Sequence, residues 1–211
     1  MNVENTLNNK KIINSLTSNM REYAIFGVFI IVCIALAFAE PAFTSSTNVL
    51  NVLSQISITG YIAIGMLMVI ITGGIDLSAG VLVGLCAAIG ADFAHTGQGA
   101  IWGILVGLGI GAFCGAVNGF FVAYLGLPPF IVTLGTKLAI SGAALVYTKG
   151  HPTTGLSDEF IKIGAGFLLG IPIPVWILLL CVILGTFLLN YTKFGRYVYA
   201  IGGNETSARV S

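Results

Sequence analysis

An all-α polytopic membrane protein is predicted by three observations: too little charge, long apolar blocks, and basic residues gathered at the two ends. Of the 211 residues, 56% are hydrophobic and 8% are charged, against about 25% charged in an ordinary soluble domain. A soluble surface needs charge, and this chain has too little to cover one. Its apolar residues fall in six runs, each near the roughly 20 residues that cross a hydrocarbon core of about 30 Å. Such runs are expected to be helices, because an open sheet would leave backbone groups unpaired in lipid. The net charge of +1 suggests no nucleic-acid partner.

Residues 1–22 are polar, rich in Asn, and carry Lys10, Lys11 and Arg21. They read as a cytoplasmic tail. The first apolar run covers 23–39 and ends in Ala37-Phe38-Ala39, which also fits a signal-peptidase site. The long polar start and the spans that follow favour an uncleaved helix. The remaining runs cover 56–72, 77–93, 100–125, 130–148 and 170–190. The organisation is therefore a tail over 1–22, a transmembrane bundle over 23–190 and a cytoplasmic loop over 191–211. Six of the nine Lys and Arg lie at the ends: Lys10, Lys11, Arg21, Lys193, Arg196 and Arg209. Lys149 and Lys162 lie between the fifth and sixth runs. Six spans put both ends on one side, and the positive-inside rule makes that side the cytoplasm. The loops over 40–55, 94–99 and 149–169 then face outward.

The fourth run carries Gly103, Gly107, Gly111, Gly115 and Gly119, one at every fourth position. Overlapping small-xxx-small steps let a neighbouring helix approach closely, so the run predicts a tightly packed helix. Between the second and third runs lies Thr72-Gly73-Gly74-Ile75-Asp76-Leu77-Ser78-Ala79-Gly80. Its glycines break one helix, and Asp76 or Ser78 can cap the next. An acid at membrane depth is also a candidate pathway residue, but capping already explains Asp76. Pro128-Pro129 ends the fourth helix and restricts entry to the fifth. Lys137 either snorkels to the interface or faces a wet pathway. Asn51, Gln55 and Asn118 are further pathway candidates, with hydrogen bonding between helices as the commoner role for such residues.

After the sixth run, Gly202-Gly203 predicts a sharp turn and Asn204 an N-cap. A short cytoplasmic helix is expected from near Glu205. Basic, aromatic and turn residues alternate over 191–211, which suits a docking surface. Cys33, Cys86, Cys114 and Cys181 each sit inside an apolar run and read as small buried hydrophobes. They form no metal-ligand pair. No lysine follows a glycine, so there is no phosphate-binding loop. His95 and His151 lie in predicted outer loops without a zinc pattern. The runs carry one deep acid and no histidine, which argues against an intramembrane enzyme. A passive channel or facilitator fits the span count but leaves 202–211 without a purpose.

Four stretches together resemble the permease family of binding-protein-dependent, ATP-driven importers of ribose, galactose and related sugars. They are TGGIDLSAG over 72–80, LPPFIVTLG over 127–135, GIPIPVWI over 170–177 and FGRYVYAIGGNETSARVS over 194–211. The ribose branch is the most similar, with the galactose type as the alternative. The resemblance implies a permease of about ten helices of the vitamin B12-importer-like type, of which this chain is the N-terminal part, in the bacterial plasma (inner) membrane. It implies no enzyme activity and no cofactor in this chain. The implied partners are a second permease copy, membrane lipid, an extracytoplasmic sugar-binding protein, and an ATP-binding subunit that holds ATP and Mg. It further implies that Gly202, Gly203, Asn204, Glu205, Ala208 and Arg209 belong to the loop that docks on the ATPase. The pattern departs from the family in two places. The chain stops at Ser211, inside that loop, which reads as a truncation. Lys137 stands where an apolar or small residue is expected.

Overall fold

The computed structural model describes residues 23–95 and 99–210. The predicted tail over 1–22 lies outside them. The chain divides into two compact units between Val52 and Leu53.

In the first unit, helix α1 (Tyr23–Ala39) is followed by a 3-10 turn over Pro41–Thr44. The Glu40 carboxylate accepts the Ala42 N–H at 3.4 Å. The Ser45 hydroxyl accepts the Asn48 N–H at 3.2 Å, and so starts helix α2 (Ser46–Ile71). This corrects the expected loop over 40–55, since helix begins ten residues before the apolar run does. Hydropathy misses a helix whose opening turns are polar; the serine that satisfies an orphan N–H marks it instead.

The second unit holds the rest of α2 and then α3 (Ala79–Phe93), α4 (Ala100–Ala123) and α5 (Pro129–Thr148). Next come α6 (Asp158–Ala165), strands β1 (Phe167–Leu168) and β2 (Ile171–Pro172), α7 (Ile173–Tyr191), α8 (Lys193–Gly203) and α9 (Glu205–Val210). Helices α2, α4, α5 and α7 are long and apolar enough to cross a membrane, and α1 and α3 are shorter apolar helices. The sequence predicts six such spans; four helices reach that length, and α1 and α3 lie over the first and third runs but are shorter. The 15 residues of α3 reach only about 22 Å. The third run begins with two non-helical residues, Leu77 and Ser78, and helix starts at Ala79.

Helices α3, α4 and α5 pack together. The crossing of α3 and α4 rests on two glycines. A methyl group added at Gly90 would lie 2.7 Å from the Gly103 carbonyl oxygen, and one at Gly103 would collide with Gly90 and Ala94 in turn. The same test gives 3.5 Å to the Cys86 carbonyl at Gly107 and 3.9 Å to the Cys86 Sγ at Gly111; Gly115 and Gly119 meet nothing within 4 Å. The glycine stripe is therefore tight at its start and open at its end, which corrects the expectation of close packing throughout. Polar side chains bridge the open end, as the next subsection describes. Helix α2 meets α7 through a second pair of glycines: Gly60 faces Leu178, and Gly185 faces Ile64 and Met68. The Tyr61 hydroxyl donates to the Pro174 carbonyl.

The stretch over 149–169, expected as an outer loop, contains a helix and half a hairpin. Ser157 caps α6 by accepting the Phe160 N–H at 3.4 Å, and Asp158 and Glu159 fill its first turn. That is an ordinary N-terminal signature in a segment too short to show apolar periodicity. The hairpin pairs Phe167 with Pro172 and Leu168 with Ile171. Leu169 and Gly170 turn it with φ of 54° and 78°, the left-handed pair of a two-residue turn. Helix α7 thus starts at Ile173, not at Gly170. The loop is tied to the end of α3: Ser157 N–H donates to the Ala94 carbonyl at 2.9 Å, and His95 Nδ1 lies 2.8 Å from the Gly155 carbonyl. The Tyr147 hydroxyl donates to Asp92 at 2.6 Å.

The gradient along the stripe predicts unequal responses. Gly103→Ala is expected to destabilise the full-length protein by about 2 kcal/mol or more, the cost of forcing a packed contact apart. Gly115→Ala is expected to stay within about 0.5 kcal/mol of wild type. Unfolding of the purified protein in detergent measures both, and equal losses would contradict the crossing described here.

Candidate functional site

The distinctive chemistry lies where α2 gives way to α3. Gly73 takes a φ of 80°, a left-handed conformation that glycine adopts without steric cost. The Gly73 N–H donates to the Ile70 carbonyl at 2.9 Å and the Gly74 N–H to the Val69 carbonyl at 3.0 Å. These bonds close the helix end in the manner of a glycine C-cap. The chain then passes through Ile75 and Asp76 without regular secondary structure before α3 begins.

Non-helical backbone beside apolar helices must find partners, because lipid offers none. Here the Ile75 carbonyl finds one in Thr133 of α5 and the Ser78 N–H finds one in Asp76, while α4 reaches the Ser78 hydroxyl. Asp76 Oδ1 accepts the Ser78 N–H at 2.7 Å and the Ser78 hydroxyl at 2.6 Å. Asn118 Nδ2 of α4 donates to the Ser78 Oγ at 3.1 Å. The Thr136 hydroxyl of α5 lies 2.6 Å from Asn118 Oδ1 and 2.9 Å from the Val132 carbonyl. One turn earlier on α5, the Thr133 hydroxyl lies 3.1 Å from the Ile75 carbonyl. Ser78, Thr133 and Asn118 are 0%, 4% and 7% exposed, so these bonds are sheltered from water. Among the described residues no buried side-chain nitrogen or oxygen lacks a partner.

Three chain segments are thus clasped by one line of hydrogen bonds, Asp76–Ser78–Asn118–Thr136. Of the pathway candidates, Asp76 and Asn118 belong to it. The expected cap by Asp76 or Ser78 is corrected: Asp76 holds the N–H and hydroxyl of Ser78, the residue before α3, and no first-turn N–H of the helix receives a side-chain cap. Ser78 occupies the N-cap position but makes no side-chain capping bond, because its hydroxyl is committed to Asp76. Asn51 and Gln55 are exposed on α2 and take no part. Lys137 follows Thr136 on α5 but is half-buried and has no hydrogen-bond or ion-pair partner among the described residues. Sequence reading missed Ser78, Thr133 and Thr136 as network members. The available signal was the spacing of the threonines, three apart on one helical face, in register with a polar residue on the preceding helix.

At the end of the chain, the docking candidates divide between two helices. The Thr192 hydroxyl accepts the Gly195 N–H at 3.3 Å and starts α8, which the sequence reading left as a mixed segment. Gly202 and Gly203 are the last two residues of α8, and neither has a positive φ. The expected turn at Gly202-Gly203 is therefore corrected: the bend falls one residue later. Asn204 is extended, with φ −163° and ψ 105°. Its carbonyl accepts the Ala208 N–H at 2.9 Å, which is where an N-cap sits. Helix α9 then carries Glu205 in its first turn, as expected, along with Ala208 and Arg209.

Long apolar helices whose buried polar side chains are satisfied within the bundle define a multi-pass membrane protein. A family model described as branched-chain amino acid transport system / permease component matches residues 48–211, and the chain belongs to that family. It is 43% identical over 187 residues to the ribose import permease protein RbsC of Bacillus subtilis (strain 168), covering 88% of this chain and 58% of that protein. The Escherichia coli (strain K12) ribose import permease RbsC is 37% identical over 196 residues, with 91% of this chain and 61% of the relative covered. The galactose/methyl galactoside import permease MglC of the same strain is 34% identical over 222 residues, covering 96% and 65%. No solved structure matches the chain. The chain spans about three-fifths of the length of the curated ribose permeases it matches.

The clasp makes a direct energetic prediction. Asn118→Ala removes both bonds of the central amide, while Ser78 keeps Asp76 and Thr136 keeps the Val132 carbonyl. The expected loss in the full-length protein is about 1–2 kcal/mol, the usual size for a polar bridge between membrane helices. Asn51→Ala, at an exposed position, is expected to change stability by less than about 0.5 kcal/mol. Thermal or denaturant unfolding in detergent separates the two.

Proposed function

We propose that this chain supplies part of the translocation pathway of an ATP-driven, binding-protein-dependent sugar importer, with ribose as its sugar. The observation that carries the reading is the 43% identity to a ribose import permease across 88% of this chain. The family description speaks of branched-chain amino acids, but the ribose, allose and galactose permeases among the relatives favour a sugar. An ATP-binding subunit, an extracytoplasmic sugar-binding protein and a second permease copy are the proposed partners. ATP and Mg are proposed to sit on the ATP-binding subunit.

The proposed orientation puts α8 and α9 in the cytoplasm and the loop over 149–157 outside. The gathering of Lys193 and Arg196 beside the membrane supports it. So does the shared end of the bundle at which His95 meets Gly155, since both segments were assigned to the outer side. Residues 1–22 are proposed as a cytoplasmic tail. Residues 202–209 are proposed as the surface that meets the ATP-binding subunit. Asp76 and Asn118 are proposed to hold the pathway helices rather than to bind sugar, because their polar atoms are engaged with one another's neighbours. Asn51, Gln55 and Lys137 remain the proposed pathway-facing residues.

Reconstituted vesicles test the function. The full-length permease, together with its ATP-binding and sugar-binding subunits, is expected to take up ribose in an ATP-dependent way and to leave leucine outside. Uptake that proceeds without ATP would instead support a passive facilitator. Cysteine labelling tests the orientation. In intact cells, Thr154→Cys is expected to react with an impermeant maleimide, and Tyr197→Cys is expected to react only after lysis. The reverse pattern would invert the topology.

A further inference from the structure

Gly195 and Gly202 lie seven residues apart on α8, hence on one helical face, with Val198 buried between them. Each touches a different neighbour. A methyl group at Gly195 would overlap the Leu189 carbonyl near the end of α7, and one at Gly202 would overlap the Ile71 carbonyl at the end of α2. Helix α8 is therefore a bar of about 16 Å laid across the ends of α7 and α2. The contact at Gly202 is backbone to backbone. The group that a methyl would replace is a Cα hydrogen, so that hydrogen points at the Ile71 oxygen, one of the helix-end carbonyls without a partner inside its own helix. Gly203, the next residue, meets nothing within 4 Å. The need for glycine thus falls on one member of the pair and not on the other.

Ile71 is also the last residue before the joint. Past it come Thr72, the left-handed Gly73, Gly74, and then the non-helical Ile75 and Asp76, bonded to Thr133 and Ser78 in turn. On one side of the joint α2 touches α7 at Gly60 and Gly185 and α8 at Gly202; on the other, α3, α4 and α5 pack together. We propose that Gly202 is a positioning residue, the seat through which α8 sets the angle of the last turn of α2. The setting of that turn then determines how the joint over 72–78 meets the Asp76–Ser78–Asn118–Thr136 clasp. This rests on the proposed function, in which α8 and α9 receive the ATP-binding subunit. A displacement of α8 by that subunit reaches α2 by direct contact of backbones, where a helix end cannot yield as a flexible side chain would. The two glycines of the joint supply the freedom that α2 needs to move while the clasp keeps α3, α4 and α5 together.

The test uses the full-length permease assembled with its ATP-binding and sugar-binding subunits in vesicles, with ribose as the transported probe. Gly202→Ala is expected to assemble but to lose about tenfold or more in ribose taken up per ATP hydrolysed, a coupling loss of ordinary allosteric size. Gly203→Ala is expected to stay within about twofold of wild type, since an added methyl there meets open space. Hydrogen exchange over 72–78 in the wild-type complex is the second measurement and needs no variant. Exchange there is expected to change when ATP is added. Loss of assembly in Gly202→Ala together with an ATP-dependent change over 72–78 in wild type also supports the seat. Wild-type coupling in Gly202→Ala, or equal losses in the two alanine variants, overturns it. An unchanged segment in a wild-type complex that transports ribose overturns it as well, while leaving the importer reading intact. A wild-type complex that neither hydrolyses ATP nor takes up ribose overturns the importer reading, and the inference with it.

Discussion

The line of hydrogen bonds that ties the start of α3 to α4 and α5 is centred on a single amide. Asn118 lies in α4 among apolar residues, donates to Ser78 and accepts from Thr136. An unpaired amide in an apolar setting is costly, so the helices that supply its partners are held at the distance its side chain can span. Ser78 is fixed from the other direction by Asp76, which gives α3 its starting point. Remove the amide and, among the described residues, no other side chain connects the joint to both α4 and α5 as one line. Asp76 and Thr133 let the chain leave helical geometry near Gly73 with the Ser78 N–H and the Ile75 carbonyl still bonded.

The opposite end of the α3–α4 pair is held by different physics. There Gly90 and Gly103 bring two backbones into direct contact, and no polar group is needed. In lipid, apolar side chains gain nothing by leaving the solvent, so close approach of backbones is the available source of packing energy. As the helices part beyond Gly107, that source fades and hydrogen bonds replace it. One helix pair thus uses two kinds of adhesion in sequence along its length. The large residues that remain exposed, Leu108 and Phe113 on α4 among them, are the surface expected of a helix that meets lipid.

Helix identity was largely legible beforehand, and the reasons for the exceptions are specific. The apolar runs over 100–125 and 130–148 became α4 and α5 with ends shifted by two residues or fewer, because Gly99, Pro128 and Pro129 punctuate them strongly. Helix α2 was placed ten residues late because its opening turns carry Ser, Asn and Gln. Helices α6 and α8 were missed because each is short and owes its formation to a capping hydroxyl, on Ser157 and Thr192, rather than to a long apolar stripe. The bend expected at Gly202-Gly203 moved to Asn204, since glycine permits a helix to continue when a neighbour packs on it.

The sequence by itself determined that this is a multi-pass helical membrane protein, since composition and run length leave no other stable solution in a bilayer. It also carried the family, through four ordered stretches that no single helix property would produce. It picked out Asp76 and Asn118, because polar residues are conspicuous against an apolar background. What it could not decide was which of them meet. Asp76 and Asn118 are joined through Ser78, forty residues from the amide that reaches it, and Thr133 finds a carbonyl that any residue type at position 75 would present. The same holds for Gly202, whose partner is the backbone of Ile71. Contacts made to backbone atoms leave no mark in the identity of the partner, so only the tertiary structure could reveal them.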